Sequence, residues 1–315
     1  MIYIDKIWGV MNSIKALLKQ VILYIVIICA LILIVLIPRD FTVAPLETKG
    51  LEIHYQFSWT AYGENITRFI SGIWNHHSLG ATQYERVTVE DELVRYVPRS
   101  LQIIIPAFLL SMILGILKGV YDYVHRYNKR SILGNGLTWL FQSIPDFFIV
   151  VCIQWGVTLL FPSLKLLSQN TSYSFLLPAI LVSIYPMMYT ARITSNALSN
   201  EDGQYYIKVA QSKGFSQKRV IYKHIFANAL KSILSHTTSI MVHLVTSLLI
   251  VEYLLGYQGL SYRLFTALGY KYSAEAVSFS LFESGVIIGI GLVFMSLVIL
   301  AQFTGYLLKR SLRIL

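Results

Sequence analysis

The sequence predicts an all-α integral membrane protein with six transmembrane helices. Three observations predict it. Of the 315 residues, 55% are hydrophobic and only 13% charged, a balance that a water-facing surface does not carry. Six apolar runs come near the roughly 20 residues that cross a bilayer as a helix. They are Val21–Ile37, Ser100–Tyr121, Leu137–Phe161, Phe175–Ser195, Ile233–Leu255 and Ser284–Leu308. The net charge of +10 is spread in short basic groups beside these runs rather than gathered in one patch. That is the pattern of membrane orientation, and it argues against nucleic-acid binding.

Residues 1–19 carry Tyr3, Trp8, Lys6, Lys15 and Lys19 and read as a helix lying at the interface or as a frayed tail. The first apolar run is long for a signal-peptide core. Ile37-Pro38-Arg39-Asp40 follows it instead of a small-residue cleavage site, so a retained span is expected within region 1–37. Residues 38–98 mix charge, including Glu90, Asp91 and Glu92, with Phe57, Trp59, Phe69, Ile73 and Trp74. That is enough for a small folded cap and too little for a separate large core. Residues 99–315 hold the other five spans, with a polar loop at 199–231 between the fourth and fifth. Cys29 and Cys152 lie inside apolar runs and imply no disulfide framework.

Orientation follows from the short loops. With the N-terminus inside, the inner segments collect Lys6, Lys15 and Lys19, then Arg126, Lys129 and Arg130, then the basic residues from Arg192 to Lys231, then Lys309, Arg310 and Arg313. Outer basic residues are fewer and are offset by acids in the long cap. Both termini and the 199–231 loop are therefore expected in the cytoplasm, with the 38–98 cap outside.

That loop reads as two short helices around a glycine. Tyr205–Lys213 has helical spacing, with Tyr206, Val209 and Ala210 on one side. Gly214 closes the helix, because glycine adopts the left-handed conformation without a Cβ clash. Phe215 is placed to pack back on Ala210, and Ser216 to cap a second helix through Val220, Ile221, His224 and Ile225. Lys218, Arg219 and Lys223 line that helix's polar side. The result is a rigid knuckle with an aromatic tip and a basic rim, suited to docking in a partner's groove or to lying on anionic lipid.

The stretch resembles the EAA loop of bacterial ABC importer permeases of the oligopeptide, dipeptide and nickel type. The matching residues are Tyr206, Ile207, Lys208, Val209, Ala210, Gly214, His224 and Asn228-Ala229-Leu230. Val97-Pro98-Arg99-Ser100-Leu101, Ser143-Ile144-Pro145, Pro186 with Arg192, and Glu252 followed by Gly259-Leu260 extend the likeness over most of the chain. The chain departs from the pattern at Lys231-Ser232, at Gln258-Gly259-Leu260-Ser261, and in a longer outer loop from Tyr257 to Phe282.

The resemblance implies a permease subunit of an ATP-driven importer of peptides or a related small solute such as a nickel chelate. It implies a second permease, in this branch usually a different gene product, a cytoplasmic ATPase subunit docked on the loop, and an extracytoplasmic solute-binding protein, all at the bacterial plasma membrane. The expected docking residues are Tyr206, Ile207, Lys208, Ala210, Lys213, Gly214, Phe215 and Arg219. No GxxxxGK[ST] phosphate loop occurs in the chain, so ATP and Mg are expected on the partner, with no cofactor held here and no enzyme activity of its own.

Charges inside spans are costly unless they face a cavity or a partner. Asp146 reads as a pathway residue, as a carboxylate bonded to helix ends freed by Pro145, or as one near the inner surface. Glu252 reads as a brace for the following turn or as a gate lining. Arg192 ends the fourth span and joins them as a pathway candidate. His54, His76 and His77 in the cap form too weak a set for a metal site. A secondary transporter or channel without an ATPase partner is the alternative, though neither inverted repeats nor paired polar breaks stand out. An intramembrane protease is disfavoured, since no HExxH motif occurs and Ser284 lacks a nucleophile frame.

Overall fold

The computed structural model describes residues 2–39, 41–46, 50–128, 131–160, 173–270 and 282–311. In chain order they form α1 (Ile2–Val35), β1 (Phe41–Leu46), β2 (Gly50–Tyr55), α2 (Trp59–His76), α3 (Val89–Val124) and a π-helical turn at Ile132–Gly136. Next come α4 (Leu137–Ser143), α5 (Asp146–Leu160), α6 (Leu176–Glu201), α7 (Tyr205–Ser212), α8 (Gln217–Arg219) and a second π-helical turn at Val220–Ile225. The chain continues through α9 (Phe226–Ser235), α10 (Thr237–Leu254), α11 (Leu260–Ala267) and α12 (Ser284–Ser311). Among the described residues five helices are long and apolar enough to cross a membrane, and a sixth if the bent α4–α5 pair is one span.

The third run departs from the single helix expected there, because α4 and α5 meet at 99°. Pro145 is the cause. Its ring disfavours the helical region for the residue before it, and Ile144 is extended at φ −90, ψ 130. The first run departs differently. α1 is one helix from residue 2 through the apolar run, not a separate interfacial piece. Val21, Ile22, Ile25 and Val26 are each more than half exposed on it, as suits a helix against hydrocarbon. α3 begins at Val89, well before Ser100. The Thr88 Oγ1 accepts the Asp91 N–H (3.3 Å) and an Asp91 oxygen accepts the Thr88 N–H (3.1 Å). This capping box places Glu90, Asp91 and Glu92 in the first turn, where the helix dipole favours acids.

The chain divides into two compact units, Met1–Leu93 with Ala267–Leu292 and Val94–Thr266 with Val293–Leu315. In the first, β1 pairs antiparallel with β2, Phe41 opposite Tyr55 and Leu46 opposite Gly50. Among the described residues this hairpin is the departure from an otherwise helical fold. Its Thr, Val, Ile and aromatic residues suit a pleated ribbon better than a helix. Ser58 caps α2 by accepting the Ala61 N–H (3.3 Å), and His77 ends it in the left-handed conformation at φ 50. Gly289 lets α12 lie close to Val89 and Leu93, each 3.1 Å from where a Cβ would stand.

In the second unit Ile103, Ala107, Val182, Ile240, Leu244 and Leu248 form the centre of one core from α3, α6 and α10. Small residues set the α3–α6 approach. A Cβ on Gly115 would lie 2.6 Å from Thr190 Cβ, and one on Gly119 2.5 Å from Thr194 Cβ. Gly115 and Gly119 form a GxxxG stripe facing threonines at the same spacing, a close-packing pattern common in membranes. Gly115→Val and Gly119→Val should each lower the unfolding midpoint in detergent, at a cost of roughly 1–3 kcal/mol from overpacking. Gly63→Ala, with nothing within 4 Å of its Cβ, should leave the midpoint unchanged or raise it.

A charged network pins the π-helical turn to α3. Lys118 Nζ donates to Asp122 Oδ1 (2.5 Å), to the Gly134 carbonyl (2.9 Å) and to Thr138 Oγ1 (2.9 Å). Gly134 sits at non-helical φ −82, ψ −107, and its carbonyl accepts the Leu137 N–H as well as the Lys118 ammonium. Pairing offsets the cost of holding two charges in an apolar span.

Candidate functional site

The 199–231 loop folds as two helical pieces around one glycine. α7 buries Ile207 and Ala210 in a cluster with Val120, Tyr123 and Leu198. The inward face differs from the expected one by part of a turn. Val209 is 53% exposed and Tyr206 half-buried. Lys213 ends α7, its N–H bonded to the Val209 carbonyl at 3.1 Å. Gly214 follows at φ +76, with nothing within 4 Å of a Cβ built there. The Phe215 N–H reaches the Ala210 carbonyl (3.4 Å) and the Gly214 N–H the Gln211 carbonyl (2.9 Å). These paired bonds are a Schellman cap, which satisfies orphan carbonyls only with a left-handed residue at the turn. Ser216 occupies the N-cap position of α8, but its hydroxyl makes no capping bond.

Phe215 is not an exposed tip. Its ring stacks on His224 (5.8 Å, 15°) and lies under the Arg219 guanidinium at 4.6 Å. The aromatics that project are Tyr205, 84% exposed with Lys208 Nζ 5.6 Å from its ring, and Tyr222, 60% exposed. Lys208, Lys213, Lys218 and Arg219 are all exposed and give the knuckle its basic rim.

The knuckle is tied to the helices above it. Tyr206 Oη donates to Glu201 Oε2 at 2.6 Å. Burial first, and that bond second, push the phenol up to about 12. Tyr123 Oη donates to Asp202 Oδ1 (2.5 Å), and Arg126 pairs with the same carboxylate. Burial works against the Arg126 charge, but hydrogen bonds to Tyr123 and Tyr127 and the Asp202 charge outweigh it and raise its pKa. Thus α7 is held to the end of α6, and the end of α6 to the end of α3.

Glu252 lies at the end of α10 with no exposed surface. It accepts the Ser100 hydroxyl (2.6 Å) and the Ser261 N–H (2.7 Å), while the Leu260 N–H donates to Ser100 Oγ (2.7 Å). Gly259 packs so closely that a Cβ there would overlap the carboxylate. This is a brace joining α3, α10 and the turn into α11. Asp146 has a different setting at the start of α5. Its Oδ1 accepts the Phe147 N–H (2.9 Å), and its Oδ2 accepts the Ser247 hydroxyl (3.2 Å). It also lines a cavity of about 390 Å³ with Gln142, Tyr185, His243, Thr246 and Ser247.

An aromatic row runs beside that cavity. His243 lies 5.2 Å from the Tyr185 ring and 4.5 Å from Tyr189, and the exposed Arg192 guanidinium stands 5.8 Å over Tyr189. Asp146 and Arg192 therefore belong to one α6–α10 neighbourhood, and Glu252 to another. Sequence reasoning missed Tyr185, Tyr189 and His243. Tyr185 and Tyr189 stand four residues apart on α6, a shared face that spacing alone signals. Among the cap histidines, His76 ends α2 and His77 caps it, both exposed. His54 lies on β2 opposite Thr42. Among the described residues no three His, Cys, Asp or Glu side chains group to hold a metal.

Comparison with known proteins follows the same lines. A peptide transport system permease protein of Brucella abortus is 29% identical over 201 residues, covering 60% of this chain and 63% of that protein. The match thus spans less than two thirds of that relative's length. The dipeptide transport system permease protein DppB of Bacillus subtilis is 26% identical, covering 73% of this chain and 71% of its own. Among solved structures, an inward-facing form of the MetNI methionine ABC transporter superposes with a TM-score of 0.52 at 19% identity. That match covers 70% of this chain and 95% of the other and speaks for the fold. Residues 99–314, which hold the knuckle, the brace and the cavity, match the family model for the inner membrane component of binding-protein-dependent transport systems. The chain belongs to that family.

Proposed function

We propose that this chain is the membrane-spanning permease subunit of an ATP-driven ABC importer for peptides. The knuckle around Gly214 carries the reading. It is a small basic element with exposed tyrosines at 205 and 222, tied by carboxylate bonds to the ends of two long helices, within the region that matches the family model. A cytoplasmic ATPase subunit docks on it, using ATP and Mg that this chain does not bind. Both termini then lie in the cytoplasm, and the 38–98 cap faces an extracytoplasmic solute-binding protein. A second, different permease completes the pathway. Peptide cargo is favoured because the relatives from Brucella abortus and Bacillus subtilis are named for peptide and dipeptide transport.

Docking alone explains how ATP closure reaches the spans. A push on α7 passes through Tyr206 to Glu201 and through Asp202 to Tyr123 and Arg126. Uptake of labelled peptides into cells should stop when ATP is depleted and persist when an ionophore collapses the ion gradients with ATP maintained. The opposite pattern would identify a secondary transporter or channel and sink the importer reading.

A further inference from the structure

The cavity at the Pro145 break holds an unusual set of groups. Asp146 forms no ion pair among the described residues and meets only two donors, the Phe147 N–H and the Ser247 hydroxyl. A carboxylate with spare acceptor capacity in an apolar span is costly unless a cation or water completes it. Gln142, on the same wall, has its side-chain nitrogen buried with no hydrogen-bond partner. Such a donor is expensive to leave unmet. Tyr185 and His243 pack edge to face beside them, ring centroids 5.2 Å apart. One wall therefore offers an acceptor for a cation, a donor for a carbonyl, and the Tyr185 ring, a type of ring that also favours a cation.

The geometry points to a binding site for the protonated amino terminus of a peptide: Asp146 receives the ammonium, and the Gln142 amide donates to the adjoining carbonyl. This rests on the peptide-importer reading and adds a contact to it. A free α-amine next to a carbonyl is the feature shared by unblocked peptides whatever their side chains. A cavity of about 390 Å³ admits that end of a peptide while leaving its side chains open to variation.

The test uses the whole transporter in cells and a ladder of labelled alanine oligopeptides, with uptake normalised to the amount of assembled complex in the membrane. Asp146→Asn keeps an acceptor for the Phe147 N–H, lets the Ser247 hydroxyl turn to accept from the new amide nitrogen, and removes the charge. It should cut uptake by roughly ten- to a hundredfold, the worth of one charge-assisted hydrogen bond. Asp146→Glu should restore part of it. Thr246 is exposed and lines the cavity, so it tolerates a larger side chain. Thr246→Lys should place a fixed ammonium in the cavity that Asp146 lines and cut uptake at least roughly tenfold more than Thr246→Gln, which is similar in bulk but neutral. Thr246→Lys also keeps the idea testable should Asp146→Asn fail to assemble. Equal uptake by wild type, Asp146→Asn and Thr246→Lys would overturn the site and leave the importer standing. Equal losses in Thr246→Lys and Thr246→Gln would reduce the effect to bulk and overturn the charge contact. A wild type that takes up none of the peptides would overturn the importer reading and this inference with it.

Discussion

Gly214→Leu should cut ATP-driven uptake by roughly five- to thirtyfold while the protein stays in the membrane at wild-type amounts. The estimate comes from backbone strain alone. A non-glycine residue in the left-handed region costs about 1–2 kcal/mol, and that energy sets the population of the capped turn. A clash at the Cβ plays no part, since nothing lies within 4 Å of it. Relief of the strain swings φ negative and breaks the Phe215-to-Ala210 and Gly214-to-Gln211 bonds. The angle between α7 and α8 is then lost, but Ile207, Ala210, Val220 and Ile225 remain in their cluster. The unfolding midpoint should therefore hardly move. Gly214→Asn, which tolerates the left-handed region, should keep most of the transport. Uptake and melting measured side by side check this. Normal uptake in Gly214→Leu, or equal losses in the Asn and Leu variants, would break the link between turn geometry and transport.

Gly259→Ala is expected to destabilise the protein by roughly 2–5 kcal/mol, an effect far larger than one methyl group suggests. The new Cβ overlaps the Glu252 carboxylate, which has no exposed surface to retreat to. Moving it strands the Ser100 hydroxyl and the Ser261 N–H, and each buried unmet group adds its own penalty to the overpacking. Glu252→Ala should cost a similar amount by stranding the same donors. The two changes should not add. In a Glu252→Ala background the methyl group added at position 259 has room, so Gly259→Ala should then cost less than about 1 kcal/mol. Unfolding midpoints of both single variants and the pair settle the matter. Additive losses would mean that the overlap with Glu252 is not the cause.

The spans were legible because hydropathy over about 20 residues is a strong signal. The same signal is blind to where helices begin and bend. Glu90, Asp91 and Glu92 read as part of the cap because they are charged, yet Thr88 and Asp91 form a capping box at the start of α3 that was visible in the spacing. Pro145 stood in plain view inside the third run. Whether it kinks a helix or splits it depends on Ile144, whose extended backbone only the fold fixes. In the knuckle Gly214 was legible from its residue type, but the inward face of α7 was not. Helical spacing tolerates a shift between Tyr206 with Val209 and Ile207 with Ala210, and the choice falls to the cluster with Val120 and Leu198. Glu252 and Gly259 were both visible, seven residues apart. Ser100, the third member of the brace, comes from a distant helix, and no local pattern announces it. The cavity partners of Asp146 were hidden for the same reason. Tyr185, His243 and Ser247 reach it from two other helices.

The knuckle as a docking element is tested most directly at Tyr205, which is 84% exposed. A photoreactive phenylalanine analogue placed there, activated in native membranes, should cross-link a polypeptide that carries a GxxxxGK[ST] phosphate loop. The adduct should fade in Gly214→Leu. Adducts to lipid alone, in cells that still take up peptide, would contradict docking and leave the basic loop as a surface resting on the membrane.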